Sequence, residues 1–155
     1  MLFCSIAGAS SLNLVLGGPV MSDYGLGVGA NLELDTTPRF GLELGAGLGA
    51  INAGGRFYFD SELSGVFAGA RVSTLLIKAP DDQGNVTFTG FAGRRWALNS
   101  QVHIELEGAL GLSLFQYATC GDTGRYDLFC ASGNTRINSG SFVLPSVKMR
   151  LGFSF

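Results

Sequence analysis

The sequence predicts an all-β fold: an eight-stranded antiparallel up-and-down transmembrane β-barrel, formed by the whole chain, 1–155, as one domain. Three observations predict it. Apolar residues make up 46% of the 155 residues and charged residues only 14%. No apolar run reaches the length of about eighteen residues that a membrane-crossing helix needs. Alternation of apolar and polar residues instead recurs in segments of about ten, the length of a tilted strand that spans a bilayer. Finally, 24 glycines against 4 prolines suit strands that must bend to close and inward positions with little room for side chains.

The first strand is read over 2–14. Leu2, Cys4, Ile6, Gly8, Leu12 and Leu14 share one face, and Phe3, Ser5, Ala7, Ala9, Ser11 and Asn13 the other. Cys4 then stands on the apolar side, where a lone thiol acts as a small hydrophobe. The opening MLFCSIAGAS has no Lys or Arg, so the charged start of a secretory signal peptide is absent from this chain. Gly17-Gly18-Pro19 marks a turn within 15–23.

Strand 2 alternates Tyr24, Leu26, Val28, Ala30, Leu32 and Leu34 with Gly25, Gly27, Gly29, Asn31, Glu33 and Asp35. After a turn at 36–39, strand 3 sets Phe40, Leu42, Leu44, Ala46 and Leu48 against Gly41, Glu43, Gly45, Gly47 and Gly49. Such G-x-G runs invite a nucleotide-loop reading. That fingerprint requires a helix opening on the glycines, and none of the helical period follows. Strand 4, 51–59, places Ala53, Gly55, Phe57 and Phe59 outward and Asn52, Gly54, Arg56 and Tyr58 inward.

Strand 5, about 63–76, has Val66, Ala68, Ala70 and Val72 on one face and Phe67, Gly69, Arg71 and Ser73 on the other. A polar loop follows at 78–85. Strand 6, 86–98, is ambiguous in parity, because Arg94 and Arg95 cannot both point inward; Trp96 suits a membrane interface. Strand 7 is clear: Val102, Ile104, Leu106, Leu110, Leu112 and Leu114 oppose His103, Glu105, Glu107, Ala109, Gly111 and Ser113. The longest loop, 118–138, contains Cys120 and Cys130. Those two cysteines are expected to pair in an oxidising compartment, leaving Cys4 over. Tyr126, Leu128 and Phe129 are the loop's candidate contact residues.

Strand 8 closes the chain as FVLPSVKMRLGFSF. Val143, Pro145, Val147, Met149, Leu151, Phe153 and Phe155 alternate with Ser146, Lys148, Arg150, Gly152 and Ser154. This resembles the closing strand of bacterial outer-membrane β-barrels, and the chain is similar in size to the small eight-stranded type represented by the OmpA membrane domain and OmpX. The resemblance implies that Phe153 and Phe155 act as the signal to the barrel-assembly machinery. It also implies a place in the bacterial outer membrane among its lipids. The turns 36–39, 60–62 and 97–101 are short and share an end with the C-terminus. The connections 15–23, 78–85 and 118–138 are longer, which is the short-periplasmic, long-external pattern. The connection near 49–53 breaks it once.

The inward charges form the candidate site. Glu33, Glu43, Glu105 and Glu107 face Arg56, Arg71, Lys148, Arg150 and one of Arg94 or Arg95. Pairing among them would close a lumen that eight strands make only wide enough for side chains. The net charge of −2 argues against nucleic acid, and no cofactor or metal is expected. His103 has no serine two residues away on its own face, so it is read as structural and the protein as no enzyme. A narrow channel for small solutes and a lipid-modifying enzyme are the functional alternatives. A soluble ligand-carrying barrel would instead turn its apolar face inward. The partners expected are membrane lipid, the assembly machinery and an extracellular ligand or protein at 118–138.

Overall fold

The computed structural model describes residues 10–17, 27–60, 65–76, 82–120 and 135–155. Its elements are β1 Ser10–Gly17, β2 Val28–Thr37, β3 Phe40–Gly47, β4 Ala50–Tyr58, β5 Gly65–Leu75, β6 Asp82–Ala97, β7 Val102–Cys120 and β8 Thr135–Ser154. Each strand pairs antiparallel with the next, and β8 pairs with β1 to close the barrel.

Alternation decides which face each residue takes. Leu12, Leu14, Leu44, Ile51, Phe57, Val72, Phe88, Leu106, Leu110, Val147 and Phe153 are all exposed on the outside. Asn13, Glu33, Glu43, Arg56, Arg71, Glu105, Ser113 and Arg150 are buried inside. A barrel with an apolar cavity would invert this order, so the soluble ligand-carrier reading fails on the direction of the side chains. The two-residue connection Leu48-Gly49 between β3 and β4 works because Gly49 takes φ 93°, a left-handed conformation open to glycine.

Strand lengths depart from the sequence reading where the apolar pattern ends. β1 continues to Gly17 instead of turning at Val15, and Val15 is fully buried inside. β6 begins at Asp82 instead of Val86. β7 continues to Cys120 and β8 starts at Thr135, so residues 118–120 and 135–138 of the expected 118–138 loop are ladder, with Ala118↔Ile137 and Cys120↔Thr135 in register. A ladder is held by backbone hydrogen bonds, which persist where neither face is required to be apolar. The rule that reads strands from alternation stops sooner.

The barrel is therefore taller on its β6–β8 side. β8 has 20 residues, but only Lys148 to Ser154 pair with β1. Pro145 lies within β8 opposite Leu110, and the seam explains how a proline is tolerated there. An ideal Cβ on Gly17, the last residue of β1, would sit 2.8 Å from the Val147 carbonyl oxygen. Val147 thus directs its backbone groups toward β1. Two residues on, Pro145 turns its hydrogen-less nitrogen to the same side, beyond the described end of β1.

Candidate functional site: the charged lumen

Among the described residues nine charged side chains on the inner face are buried: Glu33, Glu43, Arg56, Arg71, Arg95, Glu105, Glu107, Lys148 and Arg150. Seven strands supply them, β2 to β8. The sequence-predicted eight are all among them, and the parity of β6 adds Arg95. Arg94 points outward, with its guanidinium 5.7 Å from the centre of the Trp96 ring.

Glu33 and Glu43 stand directly opposite each other on β2 and β3. Like charges so placed repel. Arg56, one strand further on, joins them: its Nη1 is 3.5 Å from Glu33 and its Nη2 pairs closely with Glu43. The same guanidinium donates from Nη1 to both Glu105 oxygens at 2.9 Å. Arg95 donates to Glu105 from Nε at 2.6 Å and pairs with Glu33 through Nη2. Tyr58 donates its hydroxyl to Glu33 at 2.6 Å.

A second group lies alongside. Arg150 reaches Glu43 at 3.0 Å, Glu107 at 2.5 Å and Glu105 at 3.7 Å. Arg71 reaches Glu107 at 2.6 Å and Glu43 at 3.4 Å, and Lys148 stands 3.5 Å from Glu107. Glu105 faces Arg150 and Glu107 faces Lys148 in the β7–β8 register. The shortest charged contact between β7 and β8 is nevertheless the diagonal from Arg150 to Glu107. Arg56 and Arg150 therefore each touch three carboxylates and tie the two groups into one network.

Aromatic rings fill the space beside the guanidinium planes. Phe67 on β5 pairs with Gly93 on β6, and Phe91 on β6 pairs with Gly69 on β5. Each ring lies over the glycine opposite: a Cβ at Gly93 would come 2.7 Å from Phe67, and one at Gly69 2.4 Å from Phe91. The rings are 6.3 Å apart. Arg56 stacks 4.5 Å from Phe67, and Arg71 3.9 Å from Phe91. Stacking on an aromatic face is a favourable environment for a partly desolvated guanidinium.

Toward the other end of the strands the buried inner positions are polar but uncharged: Asn31, Asn52, Ser73, Asn85, Thr87, Thr89 and Ser113. Thr87 and Ser113 are hydrogen-bonded to each other. Charge is thus concentrated in the half nearer the short turns, and side chains fill the cross-section there.

His103 lies beyond this network, toward the C-terminal end, and is buried. Its Nε2 is 2.8 Å from the Asn13 side-chain oxygen, its Nδ1 is 3.5 Å from Ser154 Oγ, and Glu105 is 3.6 Å from Nε2. The sequence reading found no serine for His103 because it searched along β7; Ser154 comes from β8. Among the described residues no His, Cys, Asp and Glu group could hold a metal ion.

Phe153 and Phe155 are exposed on the outer face at the short-turn end. Cys130, Tyr126, Leu128 and Phe129 lie outside the described residues, as do Cys4 and the side chain of Cys120. The expected disulfide and loop contacts therefore lie there too. Compared with protein families, curated proteins and solved structures, the chain matches none.

Proposed function

We propose that the chain is a bacterial outer-membrane barrel with a structural or surface-interaction role, its lumen closed by the charged network and its external loops carrying the contacts. The observation that carries this reading is the pairing of an apolar outer wall with a buried, ion-paired interior. In water an outer wall with Leu110, Val143 and Val147 each more than 60% exposed would be an aggregation surface. Facing acyl chains it is the favourable arrangement, because a closed barrel leaves no backbone edge unsatisfied in lipid.

Phe40, Phe57, Phe59, Trp96, Phe153 and Phe155 are exposed around the short-turn end. Aromatic residues favour the membrane–water boundary, which supports a reading with the short turns and the C-terminus on one side of the bilayer. By the resemblance of β8 that side is periplasmic, and Phe153 and Phe155 are the groups the barrel-assembly machinery would meet. The 118–138 segment that joins β7 to β8 is then the proposed external site for an extracellular ligand or protein, with 121–134 its part outside the described residues. Replacing 121–134 with a short Gly-Ser linker should leave a folded barrel and abolish binding of intact cells to their surface ligand. Unchanged binding would move the contact elsewhere.

A narrow channel is the second reading, and the ion-paired interior supports the closed lumen against it. A continuous water file through the lower half would have to separate Arg56 from Glu105 or Arg150 from Glu107. Planar-bilayer recordings of the purified protein should accordingly show no steady conductance. Ohmic single-channel steps would promote the channel.

A further inference from the structure

A directed chain of hydrogen bonds runs from the mouth of the barrel into the charged core. Ser11 Oγ is 3.3 Å from Glu33 Oε2, Asn13 Nδ2 is 3.4 Å from Ser11 Oγ, and His103 Nε2 is 2.8 Å from Asn13 Oδ1. Ser154 Oγ, half-buried at the end of β8, is 3.5 Å from His103 Nδ1. Four strands contribute: β2, β1, β7 and β8.

The polarity of this chain follows from its inner end. A carboxylate held between Arg95 and Arg56 only accepts, so Ser11 must give Glu33 its single hydrogen. Ser11 then accepts from the Asn13 amide nitrogen. That turns the Asn13 carbonyl oxygen to His103, which must donate from Nε2. In the neutral ring the remaining nitrogen, Nδ1, carries a lone pair, and it faces the Ser154 hydroxyl. A general base beside a hydroxyl, with its other nitrogen fixed by an acceptor, is the arrangement that activates a nucleophile.

Gly152 makes the arrangement possible. It lies on β8 between its register partners His103 on β7 and Asn13 on β1. A Cβ there would fall 2.0 Å from His103 Nε2 and 2.1 Å from Asn13 Oδ1. The imidazole and the amide therefore meet in space that any side chain at 152 would occupy.

We infer that Ser154 is a base-activated acyl acceptor at the mouth of the barrel, with His103 as its general base and Asn13 as the positioning residue, and that it takes the acyl group of a reactive carboxylic ester. In the step, Ser154 Oγ forms a bond to the acyl carbon as its proton passes to His103 Nδ1. The ester C–O bond breaks, and the leaving oxygen carries away that proton. The product is an O-acyl serine and a free alcohol, and His103 returns to its starting form. This is a single acylation of the protein, separate from the role of the loops.

Folded protein in micelles, treated with para-nitrophenyl butyrate, should release one equivalent of nitrophenol and carry the butyryl group on Ser154 by peptide mass spectrometry. His103→Gln should slow this by about a hundredfold, the ordinary contribution of a general base. Glu105 already stands 3.6 Å from Nε2, but it is shared with Arg95 and Arg56. Asn13→Asp adds a second carboxylate there and should move the pH midpoint of labelling upward, because it favours the imidazolium, which cannot accept the proton. A role confined to packing would not move that midpoint. The inference is overturned if Ser154 labels no faster than the exposed Ser139 and Ser141, or if His103→Gln labels at the wild-type rate. An unmoved midpoint in Asn13→Asp overturns it as well, and decides alone should His103→Gln fail to fold.

Discussion

Replacing Glu105 with alanine should destabilise the folded barrel by about 3–5 kcal/mol, the range for removing one partner of a buried ion pair. Glu105 is fully buried and receives Arg56 on both oxygens and Arg95 through Nε. Its loss removes a carboxylate shared by two guanidinium groups, of which Arg56 is fully buried and Arg95 nearly so and left with Glu33. Arg56 still has Glu33 and Glu43 within reach, which keeps the effect within that range. Urea titration of the protein refolded in micelles would measure it. Glu105→Gln, which keeps acceptor oxygen but loses the charge, should fall between alanine and the wild type. A loss under about 1 kcal/mol for Glu105→Ala would mean that the network is hydrated rather than sealed, and the same result would revive the channel reading.

That network was largely legible in the sequence, because parity alone places a residue inside or outside a closed sheet. The Glu105/Glu107 alternation on β7 and the Lys148/Arg150 alternation on β8 are unbroken, so both strands declare their inner faces. Arg94 and Arg95 could not be assigned this way, since Gly90, Ala92 and Gly93 give neither face an apolar character. The ladder settles them: Phe67 needs the space above Gly93, which sends position 93, and with it 95, inward. The contacts of His103 were not legible. They depend on the joint register of β7, β8 and β1 at Gly152, and strand 1 meets strand 8 only after the barrel has closed. The upper parts of β7 and β8 were hidden for another reason. Phe115 and Phe142, 5.5 Å apart on the inner side, break the polar-inside order, and beyond them, toward Cys120 and Thr135, alternation no longer marks a strand.

Leu110→Arg should cost about 2–4 kcal/mol in lipid vesicles, the range for a cation placed on the lipid face near the bilayer midplane. Leu110 is 63% exposed on the outer face and lies opposite Gly90 and Pro145, with no charged residue beside it on either strand. The same change at Leu106 should cost less. Leu106 stands opposite Arg94, a cation already accommodated on the outer wall, with its guanidinium laid over Trp96 toward the short-turn end. A new arginine at 106 can follow that path to the headgroups, whereas one at 110 has further to reach. The comparison therefore tests the bilayer and not merely the fold. In water both substitutions replace an exposed apolar residue with a charge and should be neutral or favourable. Folding titrations of the two variants beside the wild type would give the ordering. Equal losses, or losses under about half a kcal/mol at Leu110, would show that the outer wall does not face acyl chains, and the outer-membrane reading would fall with it.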